Sequence, residues 1–151
     1  MDSPVQAYSV TISTIIHATE DSEKVSQGIR NLYLGETLLS SSMNRAKGHH
    51  GNEIVTLVFA TRNAKSVEGF LQMIWSRLSE LDRTEVFSSL TSRIDNAGTL
   101  FLRIDKQAAL KGKIRLENTD PIKIAISFRT KSPKGDGLVE EIQKKLGEIH
   151  G

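Results

Sequence analysis

Three residues with reactive side chains, Asp105, Lys106 and Gln107, stand together in the stretch from 100 to 113. An acid, an amine and an amide side by side could transfer a proton, hold a metal ion or bind an anion. The stretch begins with the alternation of a strand and continues with helix formers. Asp105 is a good N-cap for that helical turn, and Gly112 is a natural end for it. The three side chains are therefore predicted at the junction of a strand and a single helical turn.

The start of this helical turn is suited to an anion, because its free backbone N–H groups carry partial positive charge. Lys106 adds a full charge, whereas the carboxylate of Asp105 opposes an anion if it occupies the cap. Gln107 either reads a base edge or closes a backbone hydrogen bond. A further strand is predicted from Lys113. We expect a basic strand–turn–strand surface that contacts phosphate through Arg103, Lys106, Lys111, Lys113 and Arg115.

The charge distribution is more informative than the net charge, which is only +2 for 151 residues. Between residues 99 and 131 there are eight basic and three acidic side chains. Such polarisation favours a polyanion as partner. Lysine and arginine on exposed strands also protect sheet edges from unwanted pairing, so composition alone leaves both interpretations open.

Several function classes are excluded or disfavoured by what the sequence lacks. The absence of cysteine rules out disulfides, thiolate zinc sites and cysteine nucleophiles. No apolar run reaches the roughly 18 residues of a membrane span, and residues 1–4 do not resemble the start of a signal peptide. There is no Walker loop, dinucleotide fingerprint or nucleophile elbow. We expect a cytoplasmic protein that is not an enzyme, with no cofactor, no metal and no membrane partner.

A second polar group is the segment 48–52, in which His49 and His50 are flanked by glycines and followed by Asn52. Adjacent histidines seldom point at one ion, and no partner has ligand spacing, so a metal site is not predicted. Two interpretations remain open. Either the glycines shape a hairpin and the histidines only occupy its turn without a further role, or the tip presents His49, His50 and Asn52 to RNA phosphates or bases.

The periodicity of the whole chain predicts one domain over residues 1–151. The order is strand, helix, two strands, helices, three strands and helix, with Thr19 capping the first helix and the longest helix over about 65–81. Short connections favour antiparallel pairing, and alternating strands leave one sheet face for the amphipathic helices to cover. The expected fold class is α+β, a two-layer sandwich with a mainly antiparallel sheet of about six strands and helices on one face.

Phe101 is the aromatic residue whose placement bears most on function. Strand alternation puts it on the face opposite Leu100 and Leu102, beside Arg103. An aromatic ring among basic residues on an open sheet can stack RNA bases. It can equally pack under a helix, and the sequence does not distinguish the two.

Three segments taken together resemble a known family. They are His-Ala-Thr-Glu-Asp at 17–21 with Lys24-Val25, Gly-His-His-Gly-Asn at 48–52 with Ile54, and Leu-Arg-Ile-Asp-Lys-Gln-Ala-Ala at 102–109 with Gly112. The chain looks like archaeal proteins described as predicted exosome subunits, or simply as an RNA-binding family, with a fold similar to ribosomal protein L-five. The resemblance covers about residues 5–129. It implies a cytoplasmic protein that associates with RNA or ribonucleoproteins, and it carries over no catalytic residues.

The resulting hypothesis is an RNA-binding accessory protein, acting in RNA processing or ribonucleoprotein assembly through its basic strand–turn–strand surface. The alternative is a subunit that docks on an exosome-like or ribosomal assembly without RNA affinity of its own. Expected partners are RNA, bound mainly through phosphates, and exosome or ribosome components. A homodimer is left open. Phosphate-dominated binding predicts strong dependence on salt and little on sequence.

Overall fold

The computed structural model describes residues 5–32, 40–47, 53–130 and 137–149. Its elements in chain order are β1 Val5–Ile16, α1 Ser22–Leu32, β2 Ser40–Lys47, β3 Glu53–Thr61, α2 Ala64–Arg77, α3 Glu80–Ser88, α4 Leu90–Arg93, β4 Thr99–Ile104, α5 Lys106–Leu110, β5 Ile122–Thr130 and α6 Leu138–Gly147. They form an open sheet with helices packed on one face. The predicted α+β fold is confirmed, with five strands among these residues rather than about six.

The sheet has the strand order β2-β3-β1-β5-β4, and every neighbouring pair is antiparallel. The first strand therefore lies in the centre. Because side chains alternate along a strand, Val10, Ile12 and Ile16 of β1 point into the core while Thr11 and Ser13 point away from it. The sheet thus has one apolar face and one open face.

The helical layer covers the apolar face. In α2 the residues Phe70, Leu71 and Ile74 recur at helical spacing and are buried, and Asn63 caps the helix by accepting from the Ser66 amide at 3.1 Å. Trp75 packs edge-on against another ring of this layer, Phe87, with centroids 5.2 Å apart. Trp75 is itself buried and belongs to the core.

A bulge in β1 ties the helices to the sheet. The register against β5 shifts between Ala7 and Ser9, which gives β1 one extra residue there. The Ala7 amide donates to Glu68 of α2 at 3.1 Å, and Lys145 of α6 forms an ion pair with the same carboxylate at 3.0 Å. The bulge also changes the phase of the alternation, so that Tyr8 belongs to the open face.

The sixth strand, predicted from Lys113, does not form. Only one bridge links the segment to the sheet, between Leu116 and Ile104. On its other side, the Leu116 amide donates to the Asp82 carboxylate at 3.1 Å instead of continuing a ladder. Asp82 itself lies in the first turn of α3, which Ser79 caps by accepting from the Asp82 amide at 3.1 Å.

The first two helices begin or end differently from the prediction. Thr19 does not cap α1, since Asp21 accepts from the Glu23 amide at 3.0 Å and the helix starts at Ser22. The long helix predicted to about residue 81 ends at Arg77, because Leu78 has extended backbone angles. Each correction moves a helix end by a few residues and leaves the layer in place.

Candidate nucleic-acid interface

The open face of the sheet carries a row of cations built by strand register. Arg103 on β4 lies directly opposite Lys123 on β5, and Lys123 lies opposite Ser13 on β1. Directly opposed side chains on neighbouring strands are only about 5 Å apart at Cβ, so two like charges there cost stability. Both side chains are exposed, and neither forms an ion pair with any residue that the structure describes. The pair is a place where an anion would relieve repulsion.

Among the residues that the structure describes, no strand adds an acidic side chain to this face. By register the outward positions are held by small, polar or apolar side chains around the cations, among them Thr11, Ser13, Thr56, Val58, Thr99, Ala125 and Ser127. A positively charged face without acidic residues on the strands produces a positive potential that attracts phosphates.

Phe101 stands on the same face and does not pack under a helix. It is 45% exposed, and it precedes Arg103 by one alternation on β4. The residues that continue its row across the sheet are Ala125 and then Thr11, both small. The ring therefore borders a flat surface with room for a planar group. Of the two placements of Phe101 that the sequence left undecided, the structure shows the one on the open face.

A second aromatic group lies where the bulge turns Tyr8 outward. The guanidinium carbon of Arg129 lies 4.5 Å from the centroid of the Tyr8 ring, which is a cation–π contact. Arg129 is exposed at the end of β5 and pairs in register with Gln6. The open face thus has a cation and an aromatic ring near each of two opposite ends.

A depression of about 500 Å³ lies at the Arg103 end of the open face. Its lining combines the two cations with one carboxylate and with hydroxyl, amide and apolar groups, namely Ser13, Thr14, Ile15, Thr56, Arg103, Asn118, Asp120, Pro121 and Lys123. The carboxylate, Asp120, already has two cationic or hydrogen-bonding partners, Lys106 and His17. The volume falls within the range of about 300–1,000 Å³ typical of small-ligand sites. The set of side chains offers charge for a phosphate and both polar and apolar contact for a base.

The basic residues predicted on the connection around α5 differ in the structure in whether they have an ion-pair partner. Lys111, Lys113 and Gln107 are exposed on and after α5. Arg115 is exposed but pairs with Asp105, its Nη2 2.9 Å from Oδ2, and the same carboxylate oxygen accepts from the Ala108 amide at 2.9 Å. The predicted capping by Asp105 is confirmed, and part of the positive charge of Arg115 is neutralised.

Lys106 points away from solvent into a closed cluster, which we call the Lys106 cluster: Lys106, Glu20, Asp120 and His17. The ammonium is only 8% exposed and lies 3.0 Å from Glu20 Oε1 and 2.9 Å from Asp120 Oδ1. It also donates to the backbone carbonyl of Ile15 at 2.6 Å. Since an ammonium has three donors, these three oxygens occupy it fully.

His17 completes this cluster from the end of β1. Its Nε2 lies 2.9 Å from Asp120 Oδ1. Burial would raise the pKa of Asp120, but hydrogen bonds from Lys106 and His17 and the charges of both outweigh it, so the pKa of Asp120 lies below its usual value. Asp120 also adopts a left-handed backbone, with φ of 47°, which tightens the loop before Pro121.

The same residues offer an arrangement that could hold a metal ion. Ligand atoms of His17, Glu20 and Asp120 lie within 4.8 Å of one another. The ammonium of Lys106, however, already contacts both carboxylates and supplies the positive charge that they require. The geometry therefore describes an internal ion-pair network.

The tip residues His49, His50 and Asn52 lie outside the described residues. The strands that flank them are paired as predicted, with β2 antiparallel to β3 and Lys47 opposite Glu53. The roles proposed for the tip remain predictions.

Sequence reasoning did not include Lys123, Arg129 and Tyr8 among the contact residues. The signal for Lys123 and Arg129 was present in the alternation of the last strand, which places them outward. Tyr8 gave no such signal, because simple alternation assigns it to the core face and only the bulge reverses it.

A model of a family described as RNA binding matches residues 9–128. The chain belongs to this RNA-binding family. The matched range contains Phe101, Arg103 and Lys123, whereas Tyr8 and Arg129 lie just outside it. The family assignment therefore rests on the part of the chain that builds the sheet and most of its open face.

Relatives of known sequence or structure agree with the family and are archaeal. The RNA-binding protein PAB1135 of Pyrococcus abyssi is 28% identical over 150 residues, covering 97% of each chain. The crystal structure of protein AF2318 from Archaeglobus fulgidus is 31% identical, with a TM-score of 0.81 over 93% of this chain and 99% of that one. Protein SSO0741 from Sulfolobus solfataricus is 30% identical, with a TM-score of 0.74 over 92% and 97%.

The helices described here are too short or too polar to cross a membrane.

Proposed function

We propose that this protein is an accessory factor in RNA processing or ribonucleoprotein assembly that binds RNA on the open face of its sheet. The single observation that carries the proposal is the exposed pair of like charges, Arg103 opposite Lys123, with no ion-pair partner among the described residues. The repulsion between two like charges lowers stability, and a phosphate bound between them would offset that repulsion.

The remaining contacts are proposed from exposure. Arg129 lies further along the same face, and Lys111 and Lys113 on the connection after α5 are exposed and carry no ion pair in the described parts of the chain. Gln107 and Arg115 stay in the set as weaker members, the latter because Asp105 already binds its guanidinium. Phosphate contacts of this kind carry affinity and little sequence information.

Lys106 is left out of this contact set. Three internal oxygens saturate its ammonium, and exchanging them for a phosphate would leave Glu20 and Asp120 facing each other without a cation. Its support for RNA binding is indirect, since it holds Asp120 and the loop that walls the depression on the open face.

A non-catalytic role is part of the proposal. Three acidic residues lie near turns and could bind the metal ion of a nuclease if they converged, but each of them has a different partner. Asp95 accepts from the Thr99 amide at 2.9 Å, Asp105 binds Arg115 and the α5 amide, and Asp120 binds Lys106. Cleavage of RNA that needs Mg²⁺ and disappears in Asp120→Asn would argue for an enzyme instead.

A salt titration tests the contact surface. Single-stranded RNA binding is measured at increasing salt for wild type and for Arg103→Ala/Lys123→Ala. Loss of two phosphate contacts reduces the slope of log affinity against log salt by about 1.4, at about 0.7 per contact. The matched control is Lys24→Ala/Lys65→Ala, which removes two exposed charges from the helical layer and should leave the slope unchanged. An unchanged slope in the sheet variant would contradict the proposed surface.

The partner in the cell is proposed from the family resemblance: RNA within exosome-like or ribosomal assemblies. Sedimentation of the tagged chain with such particles, lost after ribonuclease treatment, supports attachment through RNA. Sedimentation that survives ribonuclease and the Arg103→Ala/Lys123→Ala change supports the alternative, a subunit that docks through protein contacts.

A further inference from the structure

We propose that the open face selects unpaired RNA, stacking a base on Phe101 and seating a neighbouring nucleotide in the depression beside it. The inference rests on the proposed function and adds to it the kind of RNA that is bound. It is carried by the position of one exposed ring between a cation pair and a flat stretch of small side chains.

The ring of Phe101 has a free face and a suitable neighbourhood. It is one of four large apolar side chains that are clearly exposed among the described residues, and it belongs to the row that continues with Ala125 and Thr11. A planar base laid over this row meets no bulky side chain. Every base has such a plane, so stacking would bind RNA without a sequence requirement.

A duplex cannot use this contact. In a paired helix both planes of each base are covered by its neighbours, and an A-form duplex presents its phosphates and hydroxyls to a protein surface. Arg103 and Lys123 can reach phosphates of either form, whereas Phe101 can bind only a base that has left the stack. The surface therefore contains one contact that both forms share and one that only the single strand makes.

The depression accounts for the next nucleotide. One alternation along β4 separates Phe101 from Arg103, about 7 Å, so a nucleotide adjacent to the stacked one reaches the cation pair. There the apolar surfaces of Ile15 and Pro121 suit a base plane, and the Asn118 amide can bind a base edge. Its volume of about 500 Å³ is adequate for one nucleotide and not for a paired helix.

The other end of the open face offers a further platform. Arg129 lies six residues beyond Lys123 on β5, a distance of about 20 Å at roughly 3.3 Å per residue. Its guanidinium carbon lies over the Tyr8 ring, 4.5 Å from the ring centroid, and the exposed part of the guanidinium is available to bind a base or a phosphate. The path from the depression to this platform suits a short single strand that contacts the sheet at both ends.

The experiment compares two RNAs and two substitutions. Fluorescence anisotropy is measured at fixed low salt with a short single-stranded RNA and with the blunt duplex of the same sequence. Wild type should bind the single strand about tenfold more tightly or better. Phe101→Ala should lose about tenfold for the single strand and leave duplex binding unchanged, while Phe101→Trp retains the preference.

Two controls separate stacking from general apolar contact. Leu81→Ala removes a side chain that is 80% exposed on the helical layer and should change neither affinity. Phe101→Leu keeps apolar area without a ring and should behave as Phe101→Ala does. A narrowing of the depression by Ser13→Leu should weaken the single strand more than the duplex.

The outcomes also separate the inference from the function on which it rests. Equal affinity of wild type for both RNAs, with Phe101→Ala unchanged, overturns the selection for unpaired RNA. If Arg103→Ala/Lys123→Ala still weakens both RNAs in that case, the proposed function stands. If wild type binds neither RNA at low salt, the proposed function itself fails.

Discussion

Two clusters of charge lie close together in this protein and are built in opposite ways. In the Lys106 cluster one ammonium is surrounded by three oxygens and shielded from water. On the open face Arg103 and Lys123 oppose each other, exposed and without a counter-ion among the described residues. Arg103 and Lys106 are only three positions apart in the chain. The number of basic residues in a stretch of sequence therefore does not distinguish a structural cation from a candidate contact residue here. The presence or absence of an internal ion-pair partner does.

The largest expected effect comes from opening the Lys106 cluster. Lys106→Met removes the cation between two carboxylates and should lower the free energy of unfolding by about 3 kcal/mol. This is the low end for a buried pair, because Glu20 and Asp120 keep partial access to water. Chemical denaturation measures it. Lys123→Met is the matched control and should change stability by about 0.5 kcal/mol or less; similar losses in both would remove the contrast.

A smaller loss is expected at the junction between the two regions. Asp105→Ala removes the cap of α5 and the partner of Arg115, and should cost about 1 kcal/mol. Gln107→Ala, an exposed neighbour for which no side-chain bond is described, serves as control and should be nearly neutral. Thermal unfolding compares them, and equal melting temperatures would mean that the cap contributes nothing to the turn.

The pH dependence of the Lys106 cluster gives a third test. Because the folded pKa of Asp120 is lowered, its contribution to stability is complete above the unfolded value of about 3.9 and is lost as pH falls through the folded pKa. The stability difference between wild type and Asp120→Asn should therefore shrink in acid. Unfolding midpoints between neutral pH and the acid range measure it, with Glu23→Gln as a surface control. A difference that stays constant with pH would contradict the assigned pairing.

The smallest effect has the opposite sign and lies on the open face. Lys123→Gln relieves repulsion with Arg103 and should raise the free energy of unfolding by about 0.3 kcal/mol at low salt. The gain should vanish at high salt, where the charges are screened. The same variant should bind RNA more weakly. A loss of stability at low salt would show that Lys123 has a structural partner.

Most of the fold follows from local sequence patterns. Strand alternation and helical spacing are read over a few residues, and they predicted the order of the strands and helices, apart from the sixth strand, and a helical layer on one face of the sheet. The prediction of a sixth strand was wrong, because a segment forms a strand only where a neighbouring strand is available to pair with it. The segment after Gly112 finds the Asp82 carboxylate where a ladder would need another strand.

The site was less predictable, because its decisive contacts join distant parts of the chain. The direction of Lys106 depends on Glu20 and Asp120, one far before it and one in the following loop. No local pattern around Lys106 contains that information. Alternation places Lys123 and Phe101 on the side of the sheet opposite the buried residues, but only the structure shows that no helix covers Phe101 there. Tyr8 could not be placed even to that extent, since a bulge is a property of two paired strands.

The central position of β1 has a consequence for how the chain is made. β1 is synthesised first, yet one of its two neighbours is β5, and Val5 pairs with Thr130. At about 5–20 residues per second, the ribosome needs on the order of ten seconds to deliver that partner. During this interval β3 can pair with one edge of β1, while the edge that will meet β5 stays unpaired. The open face therefore gains Lys123 and Arg129 only after β5 has emerged from the ribosome.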